Sequence, residues 1–247
     1  MKIVQKMKNF LNLVENMLAG EHHCISCKRE IKDGSRFQLC KNCEDNLDLI
    51  CGNICTKCGE SLLDGNMLCV VCKDNDYNFN SNRSFCYYSE VSSNIIKALK
   101  YDSRKYYSKY IAKMMTADLS VFKDVDYLTF VPITKNRRRL RGFNQAEEIA
   151  KEISKIVGIE VVEFLSKTID HKNQARLNQK ERLENLKDTF ELDLDNEDKI
   201  KGKTVMIIDD VFTTGATLSE CSKIIKTKNP KVVLTYTFAK TKMNSLN

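Results

Sequence analysis

At 247 residues the chain is longer than one average domain, which suits one α/β core with a smaller appendage. Its 42% hydrophobic and 30% charged residues exclude a wholly disordered chain. The formal net charge of +7, from 40 Lys and Arg against 33 Asp and Glu, favours an anionic partner such as a nucleotide, nucleic acid or phosphosugar, without choosing among them.

Within residues 1–20, Ile3, Val4, Met7, Phe10, Leu11, Val14, Met17 and Leu18 recur at helical spacing, so the chain is expected to begin with an amphipathic helix. Asn12, Glu15 and Asn16 interrupt the apolar run and no small-residue cleavage site follows, so it is not read as a signal peptide. Packing of this helix on its own protein is favoured over membrane attachment. No later stretch approaches the roughly 20 apolar residues that span a bilayer, and the expected location is cytoplasmic.

Eight of the eleven cysteines fall in four CxxC pairs between Cys24 and Cys72, a pairing that suits metal chelation in a reducing compartment. Cys24 and Cys27 are followed after twelve residues by Cys40 and Cys43, and Cys55 and Cys58 after ten residues by Cys69 and Cys72. Each set offers four thiolates on two knuckles, the donor set of a closed, structural tetrahedral Zn²⁺ site. Redox or disulfide use of the cysteines is the competing reading. Cys51, His22 and His23 are spare ligands that permit a swapped pairing, whereas Cys86 and Cys221 read as buried packing residues. Long apolar runs are missing here, so metal is expected to supply the stability of a double zinc-ribbon-like module over residues 21–76.

The polar run 73–82 reads as a linker, with a boundary near Tyr77 and the second domain over 77–247. Beyond it come a strand at Phe85–Tyr88, helices at Ser93–Tyr101 and Tyr106–Leu119, a strand at Leu128–Ile133 and a helix at Asn144–Val157. A strand at Glu160–Leu165, another at Thr204–Ile208, a helix at Ala216–Lys226 and a strand at Val232–Phe238 complete the order. Such alternation predicts a mainly parallel sheet with helices on its faces. Ligands of such sheets sit beyond the carboxyl ends of the strands, which directs the search to the loops after Ile133 and Ile208.

Val205 to Ile208 form a continuous apolar run, as in a strand buried on both faces, and Asp209 and Asp210 end it. Thr213-Thr214-Gly215-Ala216-Thr217 then bends into a helix, where free backbone N–H groups, the helix dipole and threonine hydroxyls converge on a place for a phosphate. Gly215 is expected to let the backbone approach a ligand where a Cβ obstructs. The two carboxylates suit vicinal ribose hydroxyls and a Mg²⁺ held through water. Val211, Thr213, Thr214, Gly215, Ala216 and Thr217 are thus candidate binding residues, and Asp209 and Asp210 the candidate catalytic pair, for a ribose 5-phosphate. An ordinary strand-to-helix turn is the plain alternative; both halves standing in register argues against it.

The loop after Leu128–Ile133 holds Lys135, Arg137, Arg138, Arg139 and Arg141 on the same predicted edge. Lys135 and Arg141 are candidates to face a diphosphate, while Arg137, Arg138 and Arg139 serve either that clamp or a solvated patch for nucleic acid. Asn144 is the expected N-cap of the helix that follows. Asp170 to Glu191, with Lys172, Arg176, Lys180 and Arg182, reads equally as a lid over a charged ligand or as an amphipathic helix.

The loop 207–217 resembles the signature of type I phosphoribosyltransferases. From Cys24 to Ala239 the chain resembles the ComF family. Besides the cysteines and that loop, Val131-Pro132-Ile133, Arg141-Gly142-Phe143-Asn144-Gln145-Ala146-Glu147 and the spaced set Gln174, Leu177, Arg182, Asn185 and Phe190 carry the likeness. Thr134 stands where the family usually repeats proline, and His171 where it usually has a small residue. The resemblance implies an α/β, type I phosphoribosyltransferase-like fold, its mainly parallel sheet covered by helices on both faces, plus a small N-terminal four-cysteine zinc-binding module.

It also implies phosphoribosyl diphosphate with Mg²⁺ as ligand, one or two structural Zn²⁺, and a role in DNA uptake during natural competence. An active enzyme of this kind stabilises departing diphosphate while an acceptor nitrogen attacks ribose C1, and no residue here identifies the acceptor. The competing expectation is a non-catalytic protein that uses the pocket for a regulatory nucleotide and binds single-stranded DNA or a competence partner. Phe37 is the only aromatic residue of the cysteine-rich head, which weakens a base-stacking platform there.

Overall fold

The computed structural model describes residues 23–31, 35, 37–62, 65–101, 105–168 and 189–242. The helix expected over 1–20 lies outside them, as do His22, His171, Gln174, Leu177, Arg182, Asn185 and most of the segment 170–191. Two short helices, α1 (Lys41–Asp45) and α2 (Val70–Asp74), lie in the cysteine-rich part. The chain continues through β1 (Ser81–Tyr87), α3 (Glu90–Tyr101), α4 (Tyr107–Met115), β2 (Tyr127–Phe130), α5 (Lys135–Arg141) and α6 (Gln145–Val157). Then follow β3 (Glu160–Val161), β4 (Leu165–Lys167), β5 (Phe190–Leu192), β6 (Thr204–Phe212), α7 (Ala216–Lys226) and β7 (Val232–Lys240). No helix of the described residues is long and apolar enough to cross a membrane.

Strands β1, β7, β6, β2 and β3 pair in that order, all parallel, and β4 pairs with β5 in a separate antiparallel ribbon. β6 shows why helices cover both faces. Met206 and Ile208 join a buried cluster with Ile95 and Leu99 of α3, Ile111 of α4 and Ile149 and Ile153 of α6. Val205 and Ile207 join the opposite cluster with Leu218, Cys221 and Ile225 of α7. An uninterrupted apolar strand is what burial on two faces demands. β2 leads outward to β3 while β6 leads to β7 on the other side, so the strand order reverses between β2 and β6. Their carboxyl ends frame the crevice where sheets of this kind bind ligands.

Several elements depart from expectation for identifiable reasons. β2 stops at Phe130: beyond the Val131 N–H, which still donates to the Ile208 carbonyl, the Val131 carbonyl is taken by the Asn144 side-chain amide and the Asp210 N–H by Asp209 Oδ1. The expected strand 160–165 divides: β3 pairs with β2, and the chain then leaves the sheet to pair as β4 with β5. The basic segment is a helix, not a loop, since the Thr134 side chain accepts from the Arg137 N–H at its start and Gly142, at φ 85°, ends it.

The stretch 73–82 is not a linker. Tyr77 and Phe79 are buried, their rings stacked with centroids 4.9 Å apart, and both meet Phe212 edge-on. Nor does the head lack a core. Ile25, Phe37, Leu39 and Leu47 belong to the cluster that contains α3 and α4, and Cys55, Cys58, Cys69 and Cys72 to the one that contains α7. The chain between the two cysteine sets also covers the free side of β1: Tyr87 N–H donates to the Asp48 carbonyl at 2.7 Å, and Ile50 N–H to the Phe85 carbonyl at 3.2 Å.

Because its core is shared, the head is expected to melt with the α/β sheet. Phe79→Ala is predicted to cost about 3–5 kcal/mol and to lower the midpoint of one cooperative transition seen by both circular dichroism and tyrosine fluorescence. Two separate transitions contradict this.

Candidate functional site

Sequence spacing brings each cysteine set together as expected. The ligand atoms of Cys24, Cys27, Cys40 and Cys43 all lie within 4.8 Å of one another, and so do those of Cys55, Cys58, Cys69 and Cys72. Cys27 and Cys40 Sγ atoms are 3.6 Å apart, as are those of Cys58 and Cys69. Zn–S bonds of about 2.3 Å in a tetrahedron place sulfurs about 3.8 Å apart, so both sets fit a metal of this kind. Cys51 is exposed and belongs to neither set, and Cys86 and Cys221 are fully buried.

In each set the first CxxC pair sits in a knuckle. Cys24 N–H donates to the Arg29 carbonyl and Lys28 N–H to the Cys24 carbonyl; Cys55 N–H donates to the Glu60 carbonyl and Gly59 N–H to the Cys55 carbonyl. In the second set the Cys72 thiol, hydrogen-bonded to Cys58, holds the Cys58 pKa down at about 5, against the effect of burial and with help from the Lys240 charge. Lys240 is itself fully buried, 3.5 Å from Glu60 and 4.0 Å over the Phe212 ring centroid. The second cysteine set therefore stands directly behind the end of β6.

At that end the structure corrects the sequence reading. β6 pairs with β7 as far as Phe212 opposite Lys240, so Asp209 and Asp210 lie inside the strand and do not end it. Asp209 Oδ1 accepts from the Asp210 N–H at 2.8 Å. Asp210 is buried and ion-paired with Lys100 of α3. Asp209 keeps some surface open but is densely surrounded; burial and the Asp210 charge push its pKa well above the usual carboxylate range, partly offset by Lys100. Burial pulls the Lys100 pKa down, yet Asp210 more than reverses this and the net shift is upward. Sequence reasoning misses Lys100. It is one lysine in the last turn of an apolar-faced helix, and only the crossover from β1 brings it to β6.

The turn after β6 is held from behind. Tyr77 Oη donates to the Thr214 carbonyl at 3.1 Å, and the Asn78 backbone N–H and side-chain amide donate to Ser219 Oγ at 2.9 and 3.0 Å. Thr214 is buried, with its hydroxyl accepting from the Ala216 N–H, so it shapes the turn. Gly215 adopts φ 77° at the N-cap of α7. A Cβ there would lie 2.5 Å from Phe212 Cζ and 2.9 Å from Tyr77 Cε1. The glycine is thus required by the protein's own rings, not by the ligand approach expected from the sequence. Thr213 is exposed, and Val211 and Thr217 are half-buried. The N–H groups of Ala216, Thr217 and Leu218 stand in the first turn of α7, where the helix offers no i−4 carbonyl. A cavity of about 330 Å³ beside the turn is lined by Tyr88, Ile96, Lys97, Lys100, Val211 and Thr213.

The basic residues divide. Arg138 is ion-paired with Glu147. Arg141 donates to Gln145 Oε1 at 3.0 Å and lies near enough to Lys100 for its charge to oppose the upward shift of that lysine's pKa. Lys135 and Arg139 are exposed on α5, a helix with no buried residue, and no contact among the described residues ties them to Asp209 or Asp210. Asn144 caps α6 as expected, accepting from the Ala146 N–H, and its amide donates to the Val131 carbonyl at 3.0 Å. It thereby fixes the end of β2 to the start of α6.

Residues 141–245 match the model of the phosphoribosyl transferase domain. The chain is 26% identical over 230 residues to competence protein F of Haemophilus influenzae, covering 89% of this chain and 93% of that protein. It is 24% identical over 235 residues to competence protein ComFC of Streptococcus pneumoniae, covering 88% and 99%. To DNA utilization protein YhgH of Escherichia coli K12 it is 24% identical over 179 residues, covering 70% and 77%. A solved structure of the allosteric regulatory enzyme of purine biosynthesis aligns with a TM-score of 0.38 and 16% identity, over 55% of this chain and 26% of that longer one. The chain is therefore a homologue of competence protein F, ComFC and YhgH, in which a cysteine-rich head with two metal-capable four-cysteine clusters is joined to a phosphoribosyl transferase domain.

Proposed function

We propose that the crevice between the ends of β2 and β6 binds phosphoribosyl diphosphate with Mg²⁺, and that the protein works in DNA uptake. The 5-phosphate is assigned to the first turn of α7 with Thr213 and Thr217, the ribose hydroxyls to Asp209 and Asp210, and the diphosphate to the side of Arg141. The observation that carries this is the carboxylate pair at the strand-order reversal, followed in one turn by the exposed Thr213 and by first-turn helix N–H groups, those of Thr217 and Leu218, that have no i−4 carbonyl. The names of the relatives support the place in DNA uptake and use. Two structural zinc ions are assigned to the four-cysteine clusters, whose sulfur spacings suit them.

The chain's own part in such chemistry is electrostatic. Arg141 offers a planar cation to departing diphosphate, Asp209 and Asp210 orient the ribose, and the helix turn anchors the far end, so positioning and charge stabilisation do the work. Mg²⁺, when bound with the ligand, adds neutralising charge through oxygen ligation. A second reading, binding of single-stranded DNA on α5, is favoured by the exposed Lys135 and Arg139, which make no ion pair among the described residues.

Calorimetric titration of phosphoribosyl diphosphate with Mg²⁺ into the wild-type protein is expected to show saturable binding, lost on replacing Asp209 and Asp210 with Ala; equal binding by both proteins contradicts the assignment. A folded-state carboxyl pKa raised above its unfolded value removes stability as pH rises through it, since the charged form is disfavoured in the native state. Asp209→Asn should therefore raise the melting midpoint at neutral pH while abolishing ligand binding; a lowered midpoint rules out this charge burden. For the second reading, Lys135→Ala with Arg139→Ala should weaken single-stranded DNA binding and flatten its dependence on salt, and an unchanged salt slope removes α5 from the contact.

A further inference from the structure

Three polar groups near the carboxylates are linked by an ion pair, a hydrogen bond and charge. Lys100 keeps 24% of its side chain exposed although its ammonium is paired with Asp210. Arg141, in the last turn of α5, stands near enough to Lys100 for its charge to act on the lysine. Gln145 is only 3% exposed; its Oε1 accepts from Arg141, but its Nε2 has no hydrogen-bond partner among the described residues. A buried donor left unpaired keeps its full desolvation penalty, so Gln145 Nε2 points to an acceptor that arrives with a ligand. An amide N–H, an ammonium and a guanidinium together form a set of donors with no acceptor role, as a polyanion requires.

We infer that Lys100, with Arg141 and Gln145, binds the diphosphate group of the ligand, and that Asp210 holds the lysine in place until ribose hydroxyls engage that carboxylate. This rests on the proposed binding of phosphoribosyl diphosphate. Lys100 contributes a compact charge that can follow the diphosphate oxygens, and Arg141 a fixed planar fork. Neutral ribose hydroxyls donating to Asp210 take over its hydrogen bonding, which frees the lysine for the anion. α3, the first helix after the edge strand, thereby becomes one wall of the site.

The test compares phosphoribosyl diphosphate with ribose 5-phosphate, each titrated with Mg²⁺ into the zinc-loaded full chain. Lys100→Met is expected to weaken phosphoribosyl diphosphate binding by about tenfold or more and ribose 5-phosphate binding by less than about twofold, and Lys100→Arg to recover most of the loss. Gln145→Met, which keeps the packing volume, should show the same split and serves if Lys100→Met fails to fold. Equal losses on both ligands mean that Lys100 acts only by orienting Asp210, and overturn the inference, as does no loss on either. Failure of the wild-type protein to bind phosphoribosyl diphosphate overturns the proposed function and this inference together.

Discussion

No side chain fits at position 215. Phe212 and Tyr77 close on that α-carbon so tightly that a Cβ would come within 2.5 Å of one ring and 2.9 Å of the other. Phe79 stacks on Tyr77, and the whole group belongs to the cluster that contains Cys55, Cys58, Cys69 and Cys72. The turn that opens α7 is thus cast against the inner face of the second cysteine set, with buried Lys240 bridging from Phe212 toward Glu60 of that set's first knuckle. A head that composition suggested was an appendage supplies the backing on which the candidate phosphate turn rests.

Charge is the second constraint. Two adjacent carboxylates in a mostly buried strand repel each other, and the fold answers with Lys100 of α3, whose own charge is felt by Arg141 at the end of α5. Asp209 nonetheless keeps a raised pKa, and Gln145 Nε2 has no hydrogen-bond partner among the described residues. Perturbed groups of this kind cluster at functional sites. Lys135 and Arg139 of α5 face solvent, and no ion pair among the described residues ties them to the carboxylates.

The framework was legible where chemistry is local. Cysteine spacing determined both metal-capable sets, because a knuckle is built from neighbours in sequence. Apolar runs and helical periodicity located the sheet and its helices, and Asn144 announced its cap. Three features were not legible. The length of β6 depends on how far β7 runs beside it, which brings Asp209 and Asp210 inside the strand. Tyr77 and Phe79 sit in a polar stretch, so composition concealed two core residues. Lys100 is far from Asp210 along the chain, and no pattern within either segment reveals that they meet. The basic run also folded into a helix, because Thr134 and Gly142 supplied a start and a stop that its charge pattern masked.

Where a phosphoribosyl ligand sits decides the matter. A crystal structure of the protein grown with phosphoribosyl diphosphate and Mg²⁺ is the most direct measurement. It should place the 5-phosphate on the N–H groups of Thr217 and Leu218, the ribose hydroxyls against Asp209 and Asp210, and the diphosphate beside Arg141. A ligand bound elsewhere, or a crevice still closed by the pairing of Lys100 with Asp210 at saturating ligand, contradicts it.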